Sequence, residues 1–433
     1  MEEKINIKSL LKKSICAGIG GVLIGFLLLV LVYMLPVGSM RENVKSSAGE
    51  WYEEGAWPVM INGYSGTILD NFTDSLMLSI AIYENEESTV TQAMKNYYAM
   101  ESVDSLPFDS LYAYLQDESC YGENYARYWH GYLVILKPLL MYFSYSDLRI
   151  LNMCVLCSLL VYVICLCRKN LPRGSAAVFG LMFLFLMPLT LMNCLDMANM
   201  MYVTLAAMII LIKKQEYWKR QENSLFFFLA VGMLTSYMDF LTYPMITLGV
   251  PLVTYMVLCV RDDRTSLKLK NTISGIVFWG LGYGGMWCSK WILASLLTGE
   301  NIIINALRTV KKRSNLYAEG PDLADRIKAI TENFGVLCEG VFGKILIILA
   351  VVMVCCLVYS IALSRKNENG LKGLWLIGMA ALIPVAWLFV TSEHAGMHAW
   401  FTYRNLVVCI YALGMMTVCC LESVKKSKNS DIL

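Results

Sequence analysis

The stretch that decides the fold is KINIKSLLKK (4–13) running into SICAGIGGVLIGFLLLVLVYMLP (14–36). Lys4, Lys8, Lys12 and Lys13 lead into an uncharged apolar run. A bilayer core about 30 Å thick is crossed by about 20 apolar residues rising 1.5 Å each. A secretory signal opens on the same basic flank, but its apolar core is only about 7–15 residues long. The run therefore reads as a retained membrane helix.

Working outward, runs of similar character recur near 147–167, 175–192, 196–212, 224–241, 243–260, 272–298, 341–363, 373–391 and 401–421. With 15–36 they predict an all-α polytopic membrane protein of about ten transmembrane helices, a single transmembrane domain over 1–433. The composition agrees: 57% apolar and 16% charged residues exclude an ordinary soluble domain. The 36 basic residues nearly balance 34 acidic ones, so no basic excess marks a nucleic-acid partner. Most of the 15 cysteines lie inside apolar runs, where a thiol acts as a small hydrophobe. Cys154 and Cys157 lack the second pair that a zinc site needs. Cys120 and Cys338 fall between spans, and a disulfide between them stays open.

Basic residues concentrate on the cytoplasmic side of membrane proteins. With the N-terminus inside, the inner segments hold Arg168, Lys169 and Arg173; Lys213, Lys214, Lys219 and Arg220; Arg261, Arg264, Lys268 and Lys270; Arg365, Lys366 and Lys372; and Lys425, Lys426 and Lys428. Both termini are then cytoplasmic, in the cytoplasmic membrane. Two long segments face outside, 37–146 and 299–340, and long loops on a compact bundle are where function gathers. Within the first, GYLVILKPLLMYF (131–143) is too short to span and reads as an interfacial helix broken at Pro138.

The candidate functional residues fall on that same outer side. In ILDNFTDSLMLSIAIY (68–83), Asp70 and Asp74 share a helix face at i, i+4. Either can serve as a general base if its surroundings raise its pKa; the alternative is a helix cap and a first-turn acid. Asp239, in YMDFLTYP (237–244), lies deep in an apolar run, where a carboxylate needs a cavity or a partner. Asp196 sits in a short turn. EHAGMHAWFTYRN (393–405) carries His394 and His398 at i, i+4, with Arg404 on an adjacent sector. These polar groups suit substrate contacts. With His130 they also form a set for a divalent metal, although the HExxH arrangement is missing. LRTVKKR (307–313) places Arg308, Lys311, Lys312 and Arg313 outside, where an anionic phosphate would explain them. Lys290, Arg127 and Trp129 complete the list.

A first inside-to-outside helix, a long outer loop with early acids and an interfacial helix, a multi-span bundle and a basic second loop resemble the GT-C superfamily of integral membrane glycosyltransferases. RYWHG (127–131), YMDFLTYP and HAGMHAWFTYRN also look like segments of uncharacterised bacterial multi-span proteins of this type. The resemblance implies a polyprenyl-phosphate sugar donor, a glycan, lipid or protein acceptor, and a first-loop acid as catalytic base. Asp74 fills that role here, with Asp70 beside it, and no nucleotide cofactor is required. The departures are DxxxD in place of an adjacent acidic pair, and a span number at the low end. Rival readings are a flippase or transporter of lipid-linked glycans, which would show internal repeats, and a metal-dependent enzyme built on His130, His394 and His398.

Overall fold

The computed structural model describes residues 7–218, 220–262, 269–314, 322–364 and 373–430. Lys4, Lys219, Arg264, Lys268, Arg365, Lys366 and Lys372 lie outside the described residues. Among the described residues the fold is all-α apart from one two-stranded antiparallel pair, Tyr98–Met100 with Tyr121–Glu123.

Five described helices are long and apolar enough to cross a membrane: Lys8–Tyr33, Tyr145–Asn170, Leu195–Lys213, Val341–Tyr359 and Ala399–Ser423. This is fewer than the ten expected, and the differences have local causes. The 175–192 run divides because Met187 adopts a left-handed φ of 55° just before Pro188, and a residue preceding proline is steered away from helix. The 373–391 run divides into Leu374–Met379 and Leu382–Val390. Pro384 has no N–H to offer the carbonyl of Ala380. Two further apolar runs form the helices Gln221–Met238 and Leu269–Thr298.

That last pair makes the tightest crossing in the molecule. A Cβ added at Gly232 would collide with the carbonyl oxygen of Trp279, and one at Gly282 with that of Leu229. Only glycine lets the two backbones meet there, as membrane helices often do. Leu195–Lys213, Met245–Asp262 and Val407–Ser430 pack as the buried centre, joined by a hydrogen bond of 2.8 Å between Thr254 and Tyr411. Val341–Ser364 lies at the edge, with Ile347, Ile348, Val351 and Val354 exposed.

The segment 37–146 is a folded cap rather than a loop with one helix. It holds Gly38–Ser46, Ala48–Glu54, Asn71–Ile82, Thr89–Lys95, Pro107–Leu115 and Leu133–Leu140 besides the strand pair. The expected 131–143 helix is Leu133–Leu140, and Pro138 sits inside it rather than ending it. The segment 299–340 forms Ile302–Arg313 and Leu323–Leu337. Cys120 and Cys338 are both free thiols.

Candidate functional site

Four carboxylates converge at the junction of the cap and the central helices. Asp70 is the N-cap of Asn71–Ile82, accepting from Thr73 N at 2.9 Å and Thr73 Oγ1 at 2.8 Å. One turn on, Asp74 caps a different helix. It accepts from Leu195 N at 2.9 Å, Asp196 N at 2.8 Å, the Tyr145 hydroxyl at 2.6 Å and the Cys194 thiol at 3.7 Å. Leu195 and Asp196 begin Leu195–Lys213, and the first amides of a helix have no partner within it. A carboxylate at that end satisfies them and meets the positive end of the helix dipole. Burial pushes the Asp70 carboxyl up to about 6 and also raises that of Asp74, against the pull of its donors.

Asp196 and Asp239 complete the group. Asp239 accepts from Thr242 N at 2.9 Å, Thr242 Oγ1 at 2.8 Å and the Tyr283 hydroxyl at 3.1 Å. These bonds close a tight turn that holds Leu241 at a left-handed φ of 71°. Asp196 differs from the other three: its Oδ1 is buried and has no hydrogen-bond partner. It lies within electrostatic reach of Asp70, Asp74, Asp239 and Arg404.

The buried cations meet main-chain carbonyls. Arg404, fully buried, donates from Nε to Leu186 O at 3.0 Å and through its two terminal nitrogens to Gly66 O at 2.7 Å and Trp400 O at 3.3 Å. The expected anion contact is thus occupied by backbone, and Arg404 stitches three segments together. Lys290 donates to Ala93 O at 3.2 Å and Asn96 Oδ1 at 2.7 Å, with its ammonium over the Trp129 ring. Trp129 itself is fully buried and donates to Met286 O at 2.7 Å. Lys137, which the sequence reading passed over, caps the carbonyl of Ala81 at 2.6 Å, and burial lowers its pKa to about 8.

His130 is likewise a core residue. Its Nε2 faces Tyr125 O at 2.9 Å and its Nδ1 faces the Tyr132 hydroxyl at 3.2 Å. A carbonyl only accepts, so these partners assign the Nε2–H tautomer. Burial lowers its pKa to about 3. It does not join the other histidines: among the described residues, no three His, Cys, Asp or Glu side chains form a group able to hold a metal ion.

Arg313 and Arg127 both line an aromatic cavity of about 190 Å3, and His394 adjoins it through Arg313, with His398 packed beside His394. The cavity walls include Tyr128, Trp287, Trp291 and Trp387, with Arg127 and Arg313 supplying charge. Arg313 donates to His394 Nδ1 at 2.5 Å, and His394 Nε2 donates to Leu241 O at 2.7 Å. Burial and the adjacent guanidinium hold His394 neutral, and burial followed by Arg313 lowers His398 to about 4. Arg127 donates to Asn305 Oδ1 at 3.1 Å. Among the described residues, neither arginine is bonded to a carboxylate. Arg308, Lys311 and Lys312, by contrast, are exposed on the far side of Ile302–Arg313.

The aromatic wall was missed from the sequence, although its signal was there. Trp279, Tyr283, Trp287 and Trp291 recur every fourth residue, so they share one helix face. Their rings follow one another at centroid distances of 4.8, 5.1 and 6.0 Å. This ladder runs from the Asp239 carboxylate, bonded to Tyr283, to the cavity lined by Trp287 and Trp291. Comparisons of the chain with protein-family models, with curated proteins and with solved structures give no match.

Proposed function

We propose that this chain is a membrane glycosyltransferase of the GT-C type, moving a sugar from a polyprenyl-phosphate donor to an acceptor at the outer face of the cytoplasmic membrane, with both termini inside. One observation carries the reading: among the described residues, Arg127 and Arg313 stand without carboxylate partners on an aromatic-walled cavity. Guanidinium groups suit phosphate, and aromatic walls suit an apolar chain.

In this reading the acceptor hydroxyl attacks the anomeric carbon. The new C–O bond forms as the bond from that carbon to the phosphate oxygen breaks. The lipid phosphate leaves with the electron pair, its charge met by Arg313 and Arg127. The hydroxyl proton passes to a carboxylate. Asp74 has its oxygens committed to a helix end, so the role falls to Asp196, which has a buried oxygen free to accept.

The test is mass spectrometry of lipid-linked sugars and envelope glycans from cells expressing the wild type or Asp196→Asn at matched levels. Loss of one glycan, with its lipid-linked donor accumulating, is the expected result. Identical profiles would overturn the assignment and favour a carrier.

A further inference from the structure

Beside the short helix Ser392–Met397 lies a second, polar groove of about 350 Å3. It is walled by Asp325, Lys328 and Glu332 from Leu323–Leu337 and by Ser392 and Glu393 from the short helix. Three carboxylates thus face one ammonium. The one ion pair among them, Lys328 to Glu332, is 3.9 Å long and exposed, too weak to neutralise the groove. The second feature is Ser392, which is only 3% exposed. Ser392 lines this groove, and its Oγ is buried with no hydrogen-bond partner. Gly396 keeps the opposing wall low, since a Cβ there would come within 3.4 Å of Glu332 Oε2.

The carboxylates are spread out rather than converging. Asp325 and Glu332 lie seven residues apart on one helix face, about 10.5 Å along its axis at 1.5 Å per residue. Among the described residues, no three acidic or histidine side chains are grouped to hold a metal ion. Separated charges with a buried hydroxyl acceptor between the two helices match an extended organic cation with several N–H donors. We propose that this groove is a binding site for a linear aliphatic polyamine. The proposal does not depend on the transferase reading, because the groove and the aromatic cavity have no wall residue in common.

The experiment is equilibrium binding of radiolabelled spermidine to the full chain in nanodiscs of zwitterionic lipid. The expected result is saturable binding at one site, weakened tenfold or more in Asp325→Asn and Glu393→Gln, severalfold in Ser392→Ala, and unchanged in Glu123→Gln. Spermidine should raise the melting temperature of the wild type and not that of the Asp325→Asn/Glu393→Gln double variant. No saturable binding to the wild type would overturn the proposal. So would binding that the double variant retains, or displacement by an equal concentration of magnesium, which would mark a site for any point charge.

Discussion

Asp74 shows what a single buried side chain does here. Its carboxylate terminates one helix while belonging to another, so the fold depends on it before any chemistry does. Asp74→Ala strands two helix-end amides and the Tyr145 hydroxyl, and each polar group left unsatisfied in a buried site costs about 1–3 kcal/mol. The expected outcome is a collapse of folded yield in detergent. Asp74→Asn, which keeps one acceptor, should be intermediate by thermal denaturation. His398, half-buried near Arg313, gives a pH prediction. The pKa of His398 is depressed from about 6.5 to about 4, so the unfolded chain takes up a proton at a pH where the fold does not. Stability from this residue is present above pH 6.5 and is lost as pH falls toward 4, by roughly 3 kcal/mol at most. Nitrogen-15 NMR of the imidazole should show no titration at pH 6.5; a midpoint there would contradict the burial. The acids and Arg404 singled out in the sequence are buried polar groups, and their partners were not legible. Arg404, Lys290 and Asp74 bind backbone groups in helices, at helix ends and in turns, and such groups carry no residue-type signature.

At the scale of elements, Ile302–Arg313 separates charges that look equivalent in LRTVKKR. Arg313 reaches the cavity and His394, whereas Arg308, Lys311 and Lys312 face away. Neutralising Arg313 should therefore weaken binding of an anionic ligand by about 10–100-fold, the worth of one charged hydrogen bond. Removing any of the other three should change it by less than about threefold, as exposed charges do. The glycine crossing gives an independent prediction. Gly282→Val places a side chain where the Leu229 carbonyl sits, and overpacking costs about 1–3 kcal/mol or more. A lowered melting temperature is expected, while Gly284→Ala, with open space around it, should be neutral. The periodicity of 279, 283, 287 and 291 made the aromatic ladder readable in principle. What it faces depends on which helices pack against it, which no local pattern records.

For the whole molecule, apolar run length gave the helical class directly, because a stretch free of charge has few alternatives in lipid. It overstated the number of long spans, since Met187–Pro188 and Pro384 interrupt runs whose composition alone looks continuous. It also understated 37–146, whose order rests on contacts such as the ion pairs of Lys95 with Glu87 and Glu300. In the proposed topology this cap and Leu323–Leu337 share one side of the membrane. Single cysteines introduced at Ser102 and Lys328 should both be labelled by an impermeant maleimide in intact cells. The central claim is that the Arg127–Arg313 cavity holds a phosphate on an apolar chain. Its most direct test is quenching of tryptophan fluorescence by farnesyl phosphate, a short soluble probe, with farnesol as the uncharged control. The account predicts saturable quenching by farnesyl phosphate, at least tenfold weaker binding of farnesol, and loss of the difference in Arg313→Ala but not in Lys312→Ala. Equal binding of phosphate and alcohol, or an Arg313→Ala protein that still tells them apart, would contradict it.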